Sequence, residues 1–487
     1  MAPLIRRLIS EYPMRSYLLL AGLVTVSGCA SLHNSPDTAP PPLPAHPDTW
    51  KNGELATIPP IGDWIDTFND PVMSDLIDEA LSNNPDLAAT FERIEAARAA
   101  AAAVYGRSLP SVSAGGTVSA SSNVVEIGGS PVRSDAPNYR LNASASWEPD
   151  LWGRVAAGIS AAEADLAASE ADYEAARLAF AGRTAIAWLQ LNDAIRQEKL
   201  AEATLEARQS TLRLTERRFR NGLVDALDVR LARSSVASSE ASLIGRRQQT
   251  GIAKRAMEIL LGRYPATEID ASQELVELPE LSGAGDPTTL LSRRPDIAAA
   301  EARIAAAGFR VEQARMALRP SLSLSASLFT SDNVVSNLFD PSYLAGQIAS
   351  SLTAPIYNGG ALKANIESVE AQARISAANY VSATLQAWKE VEDALAADVY
   401  LQQQVTALVT AYDEAVAAEA LAQRQYQNGL ATIFNLIDAQ TRRINAEASL
   451  ISVQSSRAIN RVQFYLALGG NLAGDAPTHE INSQGTL

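Results

Sequence analysis

The chain of 487 residues repeats itself, and that duplication limits its folds more than any other feature. Landmarks return in the same order at a spacing near 207 residues. Asn84-Pro85-Asp86-Leu87 comes back as Arg294-Pro295-Asp296-Ile297, and Leu109-Pro110-Ser111 as Arg319-Pro320-Ser321. Glu148-Pro149-Asp150-Leu151-Trp152-Gly153 matches Ala354-Pro355-Ile356-Tyr357-Asn358-Gly359. Phe219-Arg220-Asn221-Gly222-Leu223 matches Tyr426-Gln427-Asn428-Gly429-Leu430, and Leu261-Gly262 matches Leu468-Gly469. Each half must therefore build the same supersecondary unit.

After the Pro-x-x-x-Gly landmark each half runs on without proline. Ile159, Leu166, Tyr173, Phe180, Ala187, Ala194 and Ala201 lie seven apart in the first half. In the second half Ile366, Ala373, Tyr380, Ala387, Ala394, Leu401, Leu408, Ala415 and Ala422 do the same. A sustained seven-residue period describes helices that supercoil on their neighbours. A helix from about Gly153 to Phe219 would extend on the order of 100 Å at 1.5 Å per residue. Asn221-Gly222 and Asn428-Gly429 end these helices, since glycine accepts the left-handed conformation a helix stop requires. A second helix follows each, up to Gly262 and Gly469. Each half thus holds a helical hairpin with an alanine-rich seam.

Between the x-Pro-Ser and Pro-x-x-x-Gly landmarks the period changes to two. Val112, Ala114, Val118 and Ala120, then Leu141, Ala143, Ala145 and Trp147, alternate with small or polar residues. So do Leu322, Leu324, Ala326 and Leu328, then Leu344, Ile348, Leu352 and Ala354. Strands apolar on one face and serine-rich on the other match a transmembrane barrel wall. The intervening segments 122–138 and 331–342, rich in Asn, Gly, Pro and Asp, are expected to be surface loops. Four strands are too few to close a barrel, and open edges in lipid cost several kcal/mol per unpaired group. Closure calls for several copies, and three would supply about 12 strands.

The formal charge of −15 argues against nucleic acid as a partner. Three histidines (His33, His46, His479) and a single cysteine exclude an internal disulfide and a cysteine zinc cluster, so no cofactor or metal site is expected. The cysteine is Cys29. Arg6, Arg7 and Arg15 precede the apolar run Tyr17–Val26, too short to span a bilayer as a helix, and small residues follow. Residues 1–28 therefore read as a signal peptide, starting at Met1 or at Met14. Val26-Ser27-Gly28-Cys29 resembles the bacterial lipobox, which makes Cys29 a lipid attachment site, and Ala30 after it favours outer-membrane delivery. Residues 29–62, with eight prolines between Pro36 and Pro60, read as a tether. The repeats then occupy 63–275 and 276–470, and 471–487 form a flexible tail.

Taken as a set, the lipobox cysteine, the tether, two copies of helix, strand, strand, long helix, helix, and the paired Pro-Asp and Asn-Gly-Leu motifs resemble the TolC and OprM-like outer-membrane factors, in their lipidated NodT-type branch. The resemblance covers nearly the whole mature chain. It implies a mainly α fold with a membrane β-barrel: four strands per chain, a homotrimer closing a 12-stranded barrel, and coiled-coil hairpins forming a periplasmic tunnel. It also implies localisation to the outer membrane of a Gram-negative bacterium. The function implied is that of an exit duct for drugs or other small molecules, handed over by a periplasmic adaptor and an inner-membrane pump of RND type. Protein secretion, metal-ion efflux and a structural coiled-coil lipoprotein stay open as alternatives.

The family's mouth motif is matched by Tyr426, Gly429, Phe434 and Ile437-Asp438-Ala439-Gln440. By position, Phe434 would form an apolar ring and Asp438 an acidic one at the periplasmic gate. The family often has leucine at the first position, and arginine where Thr441 stands; Arg442 and Arg443 are the replacements at hand. The tips Asn221-Gly222-Leu223 and Asn428-Gly429-Leu430 would dock the adaptor. Asp225 and Asp228 are expected to face solvent or adaptor, and Asp296 a helix N-terminus. Trp147, Trp152, Tyr343 and Tyr357 are expected near the membrane interface, with a core place equally open to Trp152. No phosphate loop or nucleophile-base pair is found, so an enzyme is not expected.

Overall fold

The computed structural model describes residues 40–45, 49–51, 64–270, 278, 281 and 284–470. Cys29, the signal segment and the tail 471–487 lie outside the described residues. The first half begins where Asp70 accepts hydrogen bonds from the amides of Val72 and Met73 and Pro71 sets the first turn of α1 (Pro71–Asn83). There follow α2 (Pro85–Gly106), β1 (Ser111–Ile127), β2 (Ser130–Trp147), α3 (Arg154–Arg220) and α4 (Ala226–Leu260). The second half gives α5 (Pro287–Leu291), α6 (Pro295–Met316), β3 (Ser321–Asp332), β4 (Ala345–Thr353), α7 (Ala361–Gln427) and α8 (Ile433–Ala467). Helices α3 and α7 are both 67 residues long, and α4 and α8 both 35. No described helix is long and apolar enough to cross a membrane.

The described residues gather into two compact units, and each unit draws on both halves of the chain. One holds residues 96–167 and 301–378, with an antiparallel sheet in the order β1-β2-β3-β4. Its register puts Ser113 opposite Ser144, Ser144 opposite Ser327, and Ser323 opposite Ser351 on one face. Val112, Ala145, Ala326 and Ile348 share the other face. On the polar face the Ser111 and Ser146 hydroxyls meet at 2.8 Å, and those of Ser113 and Ser144 at 2.9 Å. Where the strands join the helices, the indole N–H of Trp147 donates to Ser108 O (2.9 Å) and that of Trp152 to Pro320 O (2.6 Å). Both tryptophans stay partly exposed, and Tyr357 is almost fully so.

The segment 122–138 is not a surface loop. It is the outer part of the β1–β2 ribbon, paired without a break from Ser111↔Ser146 to Ile127↔Ser130. Gly128 (φ 62°) and Gly129 (φ 84°) make a two-residue turn with positive φ at both positions, which matches the twist of the flanking strands. The corresponding segment 331–342 differs: it breaks into two short 3₁₀ turns, Val335–Phe339 and Pro341–Tyr343.

The other unit holds the described residues within 42–95, 168–300 and 379–470. Its core joins Trp64, Phe68, Met73 and Ile77 to Ala181, Ala185 and Trp188 of α3, Met257 of α4, and Val462 and Tyr465 of α8. The Trp188 indole donates to Asp70 (2.7 Å), tying the cap of α1 to α3. The repeat explains a pair of joints here. Asn84, before the first Pro-Asp, donates to Leu260 O at the end of α4 (2.9 Å), and Arg294, before the second, donates to Ala467 O at the end of α8 (3.0 Å). Arg294 also holds Asp296 (2.8 Å) and Glu390 (2.7 Å). The helix ends approach so closely that a Cβ on Gly262 would stand 2.7 Å from Asn83 O, and one on Gly469 3.1 Å from Arg293 O.

Candidate channel gate at the hairpin tips

Both hairpin turns are built alike. After α3, the Leu223 amide reaches back to Arg218 O (2.9 Å) with Gly222 at φ 70°; after α7, Leu430 reaches Gln425 O (2.8 Å) with Gly429 at φ 78°. Asp225 then caps α4, taking the amides of Leu227 (2.9 Å) and Asp228 (3.1 Å). Thr432 and Asn435 form a capping box on α8. The structure thus gives the asparagine–glycine pairs a turning role and leaves the two leucines bare, Leu223 at 65% exposure and Leu430 at 79%. Burial and the neighbouring Asp225 raise the Asp228 carboxyl above its ordinary pKa, with Arg218 opposing.

Beneath the tips α8 packs with one face fastened and another open. Ile433 and Leu436 are buried with Tyr426, against Leu214 and Leu231. The Tyr426 hydroxyl lies 2.8 Å from Thr215 Oγ1, and the Arg218 guanidinium stands 4.8 Å from the Tyr426 ring centre. Phe434 and Asp438 are exposed. Asp438 pairs with Arg442 one turn on (2.8 Å), while Arg443 binds Glu419 of α7 and Glu447 of its own helix. Phe434, Ile437 and Ile444 line a groove of about 490 Å³ facing Thr204 and Arg208 of α3 and the serines 234, 235, 238, 239 and 242 of α4.

Arg208 is a residue that motif reading missed. It is buried, and its guanidinium donates to Gln440 Oε1 (2.7 Å), Thr441 Oγ1 (2.9 Å) and Ile437 O (3.4 Å). Gln440 in turn donates to Thr211 (3.2 Å). Thr204 and Thr211, and Arg208 and Thr215, lie seven apart and are all buried. The lower seam of α3 is therefore polar, and it runs beside the line through Ala194 and Ala201, which is only half-buried. A polar heptad was the signal available.

No cluster of His, Cys, Asp or Glu able to hold a metal occurs among the described residues. A sheet with a serine face and an apolar face, joined to two long helical hairpins, defines the class of trimeric outer-membrane channels. The chain belongs to the outer membrane efflux protein family, which it matches over residues 76–263 and 287–470. It is 30% identical over 444 residues to the pyoverdine export outer membrane protein OpmQ of Pseudomonas putida, covering 89% of this chain and 94% of that one. It is 27% identical to the probable outer membrane lipoprotein SilC of Salmonella typhimurium, covering 93% and 98%. The solved outer-membrane channel OprN superposes with a TM-score of 0.76 at 28% identity, covering 89% and 99%. The chain is thus an outer-membrane channel of an efflux system, and three copies close a 12-stranded barrel continued by a periplasmic helical tunnel.

Proposed function

We propose that the protein is a passive exit duct for small molecules, closed at its periplasmic mouth by Phe434 and Asp438 and fed by an RND-type pump through a periplasmic adaptor that docks on Asn221-Gly222-Leu223 and Asn428-Gly429-Leu430. The observation that carries this reading is the division of α8. Ile433, Leu436 and Gln440 are buried and held by α3 and α7, while Phe434 and Asp438 are exposed. Arg208 holds the fastened face, and Arg442 balances Asp438. Opening swings α8 away from the Arg208–Gln440–Thr211 seam, and the energy comes from the pump.

Residues 1–28 direct export of the chain, Cys29 takes the lipid, 29–62 are the tether, and the two repeats span 63–275 and 276–470. The family match of both halves supports the duplication.

In planar bilayers, Asp438→Ala is expected to raise the conductance of the purified trimer several-fold by loosening the mouth. Unchanged conductance in a trimer that migrates normally would remove Asp438 from the gate. Cys29→Ser is expected to abolish incorporation of labelled palmitate in cells, and labelling that persists would refute the anchor.

A further inference from the structure

The register of the sheet sorts every strand residue onto one of two faces. The serine face carries Ser111, Ser113, Thr117 and Ser119 of β1, Asn138, Asn142, Ser144 and Ser146 of β2, the odd-numbered serines of β3, and Gln347 and Ser351 of β4. The opposite face holds Val112, Val118, Leu141, Leu324, Ile348 and Leu352. A barrel in lipid turns its apolar face outward, so the serine face lines the lumen. Along that face from Ser111 to Ser121, from 136 to Ser146, and along β3 and β4, a single ionisable residue occurs: Arg140. Glu126, Arg133, Asp135 and Asp332 have the other parity.

Arg140 sits opposite Thr117 on β1 and Ser331 on β3. It lies one pair from the last β2–β3 pair, Tyr139↔Asp332, at the end of the sheet away from the strand–helix joints. Its guanidinium lies 4.1 Å from the centre of the Phe329 ring, a diagonal neighbour on the same face. Ser331 donates to Asn138 beside it (2.8 Å). Among the described residues no carboxylate lies within ion-pair distance of Arg140. The side chain is exposed, and the ring of Phe329 gives it one preferred side without neutralising it. Closing the trimer repeats the arrangement three times around one axis.

We infer that Arg140 forms a threefold cationic ring just inside the outer mouth of the barrel, which attracts and passes solutes bearing carboxylate, phosphate or sulfonate groups. Rings of one charge set the selectivity of wide pores by raising the local concentration of the opposite charge. On the lumen face of the described strands this ring meets no competing fixed charge. The acidic excess of the chain lies elsewhere, so an anion leaving the tunnel gains at the barrel what it lost on the way. Phe329 is the positioning residue that keeps the guanidinium along the wall.

The test uses the full-length protein in outer membranes at low ionic strength, where screening is weak. Asn142→Cys places a thiol on the lumen face two residues from Arg140. Two methanethiosulfonate reagents of similar size, one carrying a sulfonate and one a trimethylammonium, are added from outside. With each rate divided by that of the same reagent on free cysteine, the sulfonate is expected to be favoured over the cation by roughly three- to tenfold, the effect of a unit charge a few ångströms off in water. Arg140→Gln should abolish this preference, Arg140→Lys should keep it, and 1 M salt should erase it. A preference that survives Arg140→Gln, or a thiol that never reacts at Asn142→Cys or at Ser144→Cys in a heat-modifiable trimer, overturns the inference. The assay needs no pump and no open gate, so loss of export with the preference intact would count against the duct reading alone.

Discussion

Asp193 shows how much a single carboxylate in the α3 seam costs. Its Oδ1 is buried without a hydrogen-bond partner among the described residues, and burial raises its pKa above the ordinary value although Arg196 and Arg246 pull it down. The folded chain therefore binds a proton at Asp193 more readily than the unfolded chain, and stability falls as pH rises from the ordinary carboxylate value through the raised one. Asp193→Asn removes this liability. The variant is expected to melt roughly 1–2 °C higher at pH 7.5 and to lose the advantage as pH drops to about 4, read by circular dichroism of the purified protein. An equal shift at both pH values would refute the ionisation argument. At this scale the sequence was legible where a motif repeats: Asn84 and Arg294 stand at equivalent places and do equivalent work on Leu260 O and Ala467 O. It was not legible where the partner comes from a distant helix, as with Arg208 and Gln440, 232 residues apart.

The hairpins read correctly as elements because two independent signals agree in each, a proline-free heptad run and a glycine stop; the caps of the following helices, Asp225 and Thr432, came only with the structure. The strand ribbon was misread because its signals conflict. Asn123, Pro131, Asp135 and Pro137 are turn formers by composition, yet Val124 and Val125 on β1 and the Gly128-Gly129 turn keep the pairing going. Cross-strand register, invisible in one strand alone, decides the outcome. The exposed leucines at the tips carry a prediction of their own. Turn geometry rests on the positive φ of Gly222 and Gly429 and on backbone hydrogen bonds, so the side chains of Leu223 and Leu430 can change without loss of the turn. Leu223→Asp and Leu430→Asp are expected to reduce drug efflux at least tenfold in the double variant, with trimer yield unchanged on unboiled gels. Full efflux by the double variant would remove the leucines from the adaptor surface.

At the scale of the whole molecule, one chain leaves β1 and β4 as sheet edges, and a membrane does not tolerate open edges. Trimer closure pairs each β4 with a neighbour's β1, so both faces of β4 become committed, one to lipid and one to water. Adjacent residues on this strand should then respond oppositely to charge. Ile348 has the outward parity and is 89% exposed in the single chain, whereas Ala349 has the lumen parity. A cation at the lipid face costs about 2–4 kcal/mol near mid-bilayer, and the trimer bears it three times. Ile348→Arg is expected to abolish most of the heat-modifiable trimer in the outer membrane, while Ala349→Arg assembles close to normally. The alternation of period two that first pointed to a barrel supports this contrast, and equal behaviour of the two variants would mean that β4 does not stand between lipid and lumen.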